Sequence, residues 1–459
     1  MGDFGAFAER CAEVRRKIGA MKRPLIVNHY DADGLAAGGL IAKALKKMGK
    51  EFDVFTTRKL GEDEIGGLQG KKEIVFADLG GGQISLVEGL DAEIAIIDHH
   101  QTRESKVLQA NPHLFGFDGG SELSAAGCAY FVFREVDPSL VKLGIVGAMA
   151  DMQFPLIGLN RKMLDEGVKS GKIAAEKDLS LFGRVSRPLI WFLQYCTEPY
   201  LPGLTGRQAS CARFFEELGV EVRDCEGKWR KYYELPREEK VKVVSGLVAY
   251  LYSKDSDPQL IRTLVGETFT FPDEAQGTEL SDANEFSTVL NACGRHGKPE
   301  VGVGVCIGDA KAMEEAKSLL LLHRRQLREA VEFAGEAVED FGVFHFLDGR
   351  GAVDDGIIGV VAGMLYGSAI SRDKPVLALA LNEDGQVKVS GRATKGLCAG
   401  GINLGKMLDG ATSGIGLGGG HNIAAGAQVE SGKVNEFLLR AGEITKQQLA
   451  SPNQALPSA

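Results

Sequence analysis

Four groups of acidic and histidine residues lie in the first third of the chain. They are His29, Asp31 and Asp33 in one run; Asp78 before three glycines; the consecutive Asp98, His99 and His100; and Asp151 at the end of a segment of small residues. Imidazole suits Mn, Zn and Fe, whereas carboxylate suits Mg and Mn. Each group alone can be read as a helix cap or a turn. One site that holds two divalent ions explains all four groups together. If each group were only a cap or a turn, four unrelated occurrences would be needed.

Short apolar segments precede three of these groups and predict strands. The predicted strands are Pro24–Asn28, Glu51–Thr56, Glu73–Asp78 and Glu93–Asp98, with a helix over Leu35–Met48. Strands separated by helix-length spacers indicate βαβ units and a mostly parallel sheet. Ligands of open α/β sheets gather outside the carboxyl ends of the strands. The predicted fold is therefore an α/β N-terminal domain whose sheet positions the candidate ligands.

The remainder of the chain predicts a helical insertion, a long connector helix and a smaller α/β domain. Helical spacing covers Val141–Met152, Leu189–Cys196, Gly206–Leu218 and Arg237–Lys254, and Ala310–Asp340 predicts one long helix. Pro299–Ile307, Pro375–Leu381 and Gln386–Ser390 predict strands. We divide the chain into a catalytic domain (1–190), a helical insertion with the remainder of that domain (191–300), a connector strand and helix (301–341), a substrate-binding domain (342–447) and a flexible tail (448–459).

Composition excludes several classes of function. The formal net charge of −9 argues against passive coating of nucleic acid or of an anionic membrane, but not against an enzyme with local phosphate contacts. No secretory signal and no apolar run of about 18 residues is present. The eight cysteines are scattered and form no C-x-x-C pair, which predicts free thiols in a reducing cytoplasm.

Two motifs near the C-terminus predict a phosphate-binding surface. They are Ser390-Gly391-Arg392, and Gly418-Gly419-Gly420-His421 followed by Ala424-Ala425-Gly426. Consecutive glycines let backbone N–H groups approach a phosphate, and Arg392 could pair with it through two hydrogen bonds. His421 could donate to a phosphate or sugar oxygen. A Gly-rich hairpin alone would explain the glycines, but both motifs in one small domain favour substrate binding.

These motifs, in this order, resemble the DHH phosphoesterase superfamily, which is named for the triplet found here at 98–100. Ser124-Ala125-Ala126-Gly127 is similar to the family's S-x-x-G segment. Within the superfamily the chain is similar to archaeal RecJ-like exonucleases, including the GINS-associated nuclease, through Leu201–Gly206 and the segment 285–295.

The resemblance implies a role for each candidate residue. Asp31 would bind one Mn²⁺ or, alternatively, Mg²⁺; Asp78 would bridge two such ions; Asp33, His99 and Asp151 would hold the second; and His29 would be a further ligand. Some relatives place this His four residues before the first Asp rather than two. Asp98 would orient a neighbouring ligand. His100 would contact the scissile phosphate, and a hydroxide activated by the two metals would be the nucleophile.

Three functions follow from this resemblance. The first is an exonuclease that releases mononucleotides from single-stranded DNA or RNA in replication or repair. The second is a phosphodiesterase of short oligonucleotides, cyclic dinucleotides or phosphoadenosine phosphate. The third is a replication scaffold that binds the GINS complex. Intact ligands argue against pure scaffolding, and the helical insertion argues against a small substrate.

Overall fold

A computed structural model of the chain describes residues 2–196, 199, 201–254, 258–368, 370–382 and 385–450. Its contacts divide into two compact units. The first comprises Met1–Gln194 and Gln208–His323, and the second comprises Tyr195–Arg207 and Arg324–Ala459. None of the described helices is both long enough and apolar enough to cross a membrane.

The first unit contains a parallel sheet, a two-stranded ribbon and thirteen described helices. The helices are α1 (Phe4–Ala20), α2 (Ala32–Lys47), α3 (Glu62–Gly67), α4 (Ile84–Val87), α5 (Ala125–Phe133), α6 (Val141–Ala150), α7 (Gly158–Lys169), α8 (Leu189–Gln194), α9 (Gln208–Glu217), α10 (Arg237–Ser253), α11 (Pro258–Thr263), α12 (Ala283–Arg295) and α13 (Pro299–Ile307). The strands are β1 (Leu25–His29), β2 (Asp53–Thr57), β3 (Glu73–Ala77), β4 (Glu93–Ile97), β5 (Leu108–Ala110), β6 (Ala174–Leu179) and β7 (Val265–Thr270). Helix α14 (Ala310–Ala337) begins in the first unit and ends in the second.

The five-stranded sheet is parallel, with the order β2-β1-β3-β4-β5. The inner strands β1, β3 and β4 are buried on both faces, because alternate side chains enter two different apolar clusters, whereas the edge strand β2 is largely exposed. In β3, for example, Val75 and Ala77 face the cluster that contains α2 and α5, while Ile74 and Phe76 face the cluster that contains α3 and α4. Such two-sided burial explains why these strands are continuous apolar runs. The order reverses between β1 and β3, which is where ligands of open α/β sheets bind.

The predicted strand at Pro299–Ile307 is wrong, because this segment is helix α13. Pro299 begins the helix, Gly308 ends it in the left-handed conformation, and five of its nine residues are buried. A helix that is apolar on all sides has no helical periodicity, so its valines were read as strand residues. A methyl group added at Gly39 of α2 would lie 2.3 Å from Cys306 Cβ, so the small residues of α2 let α13 pack closely.

The insertion is helical, as predicted, but it also contains β7, which forms an antiparallel ribbon with β6 from the segment that precedes the insertion. The long predicted helix is also present and ends at Ala337, three residues earlier than expected. Most of the predicted tail, 451–459, lies outside the described residues, whereas 448–450 are the end of the last helix.

The second unit is built on a mixed six-stranded sheet. Its elements are β8 (Glu339–Asp340), β9 (His345–Asp348), α15 (Ile358–Ser368), β10 (Val376–Leu381), β11 (Val387–Arg392), α16 (Lys395–Ala399), α17 (Leu404–Thr412), β12 (Gly416–Gly420), β13 (Ala424–Val429) and α18 (Val434–Ala450). The strand order is β12-β13-β11-β10-β9-β8, in which only β9 and β10 are parallel. The parallel N-terminal sheet, the many helices and the separate C-terminal sheet confirm the predicted α/β fold class.

Candidate metal centre and phosphate site

The candidate ligands meet at the carboxyl ends of β1, β3 and β4. His29 ends β1 and Asp31 caps the helix α2 that follows, while Asp78 comes directly after β3 and His99 soon after β4. Asp78 has a positive φ of 62°, a conformation that Asp tolerates better than most residues. Parallel strands therefore bring to one edge side chains that are up to 70 residues apart in the chain.

Three groups of described side chains have the spacing of metal ligands; the largest, Asp78, Asp98, His99 and His100, shares one member with each of the other two. His29, Asp31 and Asp78 form one of these two, and Asp33, His99 and Asp151 form the other; within each group one ligand atom per residue lies within 4.8 Å of the others. His29 Nδ1 is 3.1 Å from Asp31 Oδ2 and 3.3 Å from Asp78 Oδ2. On the other side, His99 Nε2 is 3.2 Å from Asp78 Oδ1. Asp78 thus presents one carboxylate oxygen to each three-residue group.

Asp33 is held by the start of helix α5. Its two carboxylate oxygens accept hydrogen bonds from the backbone N–H groups of Ala125 (2.8 Å) and Ala126 (3.0 Å). Ser124 caps the same helix by accepting from the Gly127 N–H. The Ser-x-x-Gly segment of the sequence is therefore a helix N-terminus that binds a buried carboxylate, which the helix dipole favours.

Asp98 belongs to neither of the two three-residue ligand groups, and its hydrogen bonds support the loops that carry them. Its carboxylate is fully buried and accepts from the backbone N–H groups of Gly81 (2.8 Å) and His99 (2.7 Å) and from His100 Nδ1 (2.8 Å). Burial opposes ionisation, but these donors and the nearby imidazoles lower the pKa of Asp98 to about 2. Asn111 supports the same turn by donating to the His100 carbonyl oxygen.

A second layer of amides, which the sequence did not reveal, fixes His99 and Asp151. The Gly119 carbonyl oxygen lies 2.8 Å from His99 Nδ1 and also accepts from Gln153 Nε2 at 2.7 Å. Gln153 Nε2 donates to Asp151 Oδ2 as well (2.7 Å), and Gln153 Oε1 accepts from Asn160 (2.6 Å). Nothing in the residue types or spacing marks these amides, because their role depends on how the loops fold.

The electrostatics of the pocket favour positive charge. Burial lowers the pKa of His29, but the Asp31 and Asp78 carboxylates outweigh this effect and raise it to about 11. Burial and the neighbouring Asp78 carboxylate raise the pKa of Asp33 well above its usual value. Burial likewise raises the pKa of Asp151, with a further contribution from Asp78. Carboxylates crowded in this way are stabilised by a cation between them.

The donor set fits a metal at Asp78. Asp78 Oδ1 is buried and accepts no hydrogen bond from the part of the chain that the structure describes. His99 Nδ1 faces a carbonyl oxygen, which can only accept, so Nδ1 carries the ring hydrogen of the neutral imidazole. The lone pair of Nε2 then points toward Asp78 Oδ1. Two electron pairs 3.2 Å apart require a cation or a proton between them.

His100 faces outward from the same cluster. Its side chain is 55% exposed, and the Nδ1–H is directed to Asp98, which leaves Nε2 available. The Asp98 carboxylate raises the pKa of His100. An imidazole at the rim of the pocket whose protonated form is favoured in this way is suited to contact an anionic group bound there.

The two C-terminal motifs meet in the second unit. Strand β13 lies between β11 and β12, so that Gly391 and Gly420 both pair with Ala425. They are thus two strands, or about 10 Å, apart. Arg392 lies over the first turn of α15, since a methyl group added at Gly359 would be 2.6 Å from Arg392 Nη2 and 3.3 Å from Ser390 Oγ.

The three glycines of β12 have different structural roles. Added methyl groups at Gly418 and Gly420 would lie 2.6 Å from the Leu408 carbonyl oxygen and 2.8 Å from Ala425 Cα, respectively. At Gly419 the same group would meet nothing within 4 Å. Gly419 is therefore the glycine that leaves space for a ligand, beside the exposed His421, in a depression that Lys406 also lines.

Three family models match the chain: the DHH family N-terminal domain over residues 23–150, the DHH-CID domain over 181–265 and the DHHA1 domain over 342–447. An uncharacterized protein of Methanocaldococcus jannaschii is 29% identical over 96% of this chain and 99% of its own length.

Solved structures give the same assignment of fold. RecJ of Thermus thermophilus in complex with Mn²⁺ is similar over 96% of this chain, with a TM-score of 0.59 and 16% identity, and this chain covers 55% of the RecJ chain. CDC45 from Entamoeba histolytica is similar over 96% of this chain and 99% of its own, with a TM-score of 0.64 and 11% identity. Taken together, the comparisons show that the chain carries the DHH, DHH-CID and DHHA1 domains and that its fold is similar to those of RecJ and CDC45.

Proposed function

We propose that the protein is a metal-dependent exonuclease that hydrolyses phosphodiester bonds of single-stranded DNA or RNA to mononucleotides. The observation that carries this proposal is the Asp78 carboxylate, which faces a separate ligand group with each of its oxygens. Four carboxylates (Asp31, Asp33, Asp78 and Asp151) are balanced in charge by two divalent cations. Mn²⁺ suits this mixture of carboxylate and imidazole ligands best, and Mg²⁺ is the alternative.

His29, Asp31 and Asp78 would hold one ion, and Asp33, Asp78, His99 and Asp151 the other. Bound in this way, two ions supply Lewis-acid activation of water and neutralise charge on the phosphate. The chain itself contributes His100, whose Nε2 is directed outward by the hydrogen bond from Nδ1 to Asp98 and would donate to a phosphate oxygen. Ser390, Arg392, Gly418–Gly420 and His421 would bind the phosphates and sugars of the substrate.

Hydrolysis of end-labelled single strands tests this function. We expect mononucleotide release from DNA, RNA or both with Mn²⁺ and none with EDTA. Asp78→Asn should reduce the rate by more than about 100-fold, since changes outside the ligand set alone cost 10- to 100-fold. Asp91→Asn, at a carboxylate that is 96% exposed, is the matched control and should leave the rate unchanged. Full activity in EDTA or in Asp78→Asn would refute the proposal.

Comparing substrates of different length distinguishes the exonuclease from the alternative, a phosphodiesterase that acts on small substrates. The insertion at 181–265, which matches the DHH-CID model, favours a long strand over a dinucleotide. We therefore expect kcat/KM for a long single strand to exceed that for a dinucleotide of the same terminal sequence. The reverse order would replace the exonuclease with an enzyme for short oligonucleotides, cyclic dinucleotides or phosphoadenosine phosphate.

Docking onto the GINS complex is a second proposed function. Its support is the DHH-CID match together with the resemblance to the GINS-associated nuclease. Purified GINS should be retained equally by the wild-type chain and by Asp78→Asn if docking is independent of the chemistry. Absence of retention by both would refute this second function and leave the nuclease proposal unaffected.

A further inference from the structure

Three large apolar side chains are exposed in the loop between α6 and α7, directly after Asp151. Met152 is 71% exposed, Phe154 is 56% exposed and Ile157 is 48% exposed. We call these three residues the apolar loop surface. Single exposed apolar residues are ordinary, whereas three within six residues concentrate exposed apolar surface in one short loop.

The exposure does not come from a loosely held loop. The Gln153 backbone N–H donates to the Ala148 carbonyl oxygen (3.0 Å), and the Asn160 N–H donates to the Glu122 carbonyl oxygen (2.7 Å). Arg161 Nε donates to the Leu156 carbonyl oxygen (3.1 Å). Gln153 and Leu156 are only 4% and 1% exposed. Polar and apolar residues of the loop are thus anchored inside, while the apolar loop surface stays outside.

The same loop is tied to the candidate metal centre. Gln153 lies between Met152 and Phe154, and its side chain donates both to Asp151 and to the Gly119 carbonyl oxygen that fixes His99. Consecutive Cα atoms are about 3.8 Å apart, so the Cα of Phe154 lies within about 11 Å of that of Asp151. The backbone therefore keeps this surface close to the metal centre, and the base of a nucleotide whose phosphate was held there would lie near it.

We propose that Met152 and Phe154 form a base-binding subsite for a nucleotide adjacent to the scissile phosphate; this rests on the proposed nuclease function. Neither side chain can bind a phosphate or a sugar hydroxyl, whereas both can lie against the flat face of a base. Stacking of a base on an aromatic side chain contributes about 1–3 kcal/mol and tolerates any sequence, because every base has a π face. The subsite would therefore select strands that carry bases without selecting a sequence.

Equilibrium binding of nucleic acid tests the base-binding subsite independently of hydrolysis. The probes are a short fluorescein-labelled oligothymidylate and an abasic strand of the same length, titrated with the full chain in Ca²⁺ and read by anisotropy. Phe154→Ala should raise the Kd of the oligothymidylate about 5- to 150-fold, the equivalent of 1–3 kcal/mol, and leave that of the abasic strand unchanged. Met152→Ala should act in the same direction. Tyr252→Ala, at an aromatic residue of α10 that is 61% exposed, is the control and should change neither Kd.

The proposal is overturned if the wild-type chain binds both strands equally. It is also overturned if Phe154→Ala leaves the oligothymidylate Kd unchanged, as a surface for a protein partner would, or weakens both strands alike, as a general distortion would. Hydrolysis of the oligothymidylate with Mn²⁺ is measured separately. Its absence in the wild-type chain refutes the nuclease function, whereas the binding comparison decides the base-binding subsite.

Discussion

Replacing Gly147 with alanine should displace a candidate ligand of the metal centre. Gly147 lies in α6, where a methyl group would be 2.2 Å from Asp33 Oδ1 and 2.3 Å from Ala126 Cβ. Asp33 cannot move away freely, because it accepts hydrogen bonds from the Ala125 and Ala126 N–H groups. The substitution therefore forces either α6 away from α5 or the Asp33 carboxylate out of its place.

The sign of the effect distinguishes this position from other helical glycines. Alanine is about 1 kcal/mol better than glycine inside a helix, so Gly→Ala normally stabilises. Overpacking a filled interior costs about 1–3 kcal/mol. We expect Gly147→Ala to lose about 1–2 kcal/mol of unfolding free energy and to weaken Mn²⁺ binding about 10- to 100-fold, as changes to the supports of metal ligands do.

Chemical denaturation measures the stability, and calorimetric titration measures Mn²⁺ affinity. Gly66→Ala is the matched control, because a methyl group at that α3 glycine meets nothing within 4 Å. The control should keep wild-type Mn²⁺ affinity and should not be destabilised. A Gly147→Ala protein as stable as wild type and with the same Mn²⁺ affinity would refute the close packing of α6 on Asp33.

Three further predictions concern buried polar side chains of the first unit. Gln153→Leu removes the donor to Asp151 and should cost about 1–3 kcal/mol and 10- to 100-fold in Mn²⁺ affinity; calorimetric affinity equal to wild type would contradict its positioning role. Arg184→Met leaves the buried Asp282 carboxylate without its ion-pair partner, which lies at 2.8 Å, and should cost about 3–5 kcal/mol of unfolding free energy. Urea unfolding measures this loss through the fluorescence of the chain's two tryptophans, which both lie in the insertion. A loss below about 1 kcal/mol would contradict the prediction. Burial, with the nearby Asp282 carboxylate, raises the pKa of Glu285 from 4.5 to about 7, so the folded state retains a proton that the unfolded state loses. The free energy of unfolding should therefore fall as pH rises from about 4.5 to about 7, and Glu285→Gln should remove that slope in a pH series of the same denaturation.

The sequence predicted best those elements that are buried on both sides. Strands β1 to β4 were placed within about two residues, and the apolar runs of β1, β3 and β4 end abruptly at candidate ligands; Pro24–Asn28, for example, is observed as Leu25–His29. The fifth strand of the parallel sheet, β5 (Leu108–Ala110), was not predicted. Ribbon strand β6 was not predicted, since its residues Ala174–Leu179 include exposed charged side chains and lack an apolar run. Helix α13 was predicted as a strand because its short apolar run, with valines at alternate positions, shows no helical periodicity.

The candidate ligands could be predicted because several residue types with metal-binding chemistry recur at strand ends. Their supports could not. Gln153 and Asn160 act through a chain of amide hydrogen bonds that exists only once the loop before α5 and the loop after α6 have folded. The different tasks of Gly418, Gly419 and Gly420 also depend on the approach of α17, which no spacing in the sequence reveals.

The hydrogen bonds of Asp98 change how mutations in the D-H-H triplet should be interpreted. The Asp98 carboxylate accepts hydrogen bonds from the loop after β3 and from the loop after β4, and so holds these two loops together. Asparagine has the same shape but carries an NH₂ group in place of one acceptor, and would set that donor against an N–H that also donates. Inactivity of an Asp98 variant would therefore report the loss of alignment between the β3 and β4 loops, and would count neither for nor against Asp98 as a metal ligand.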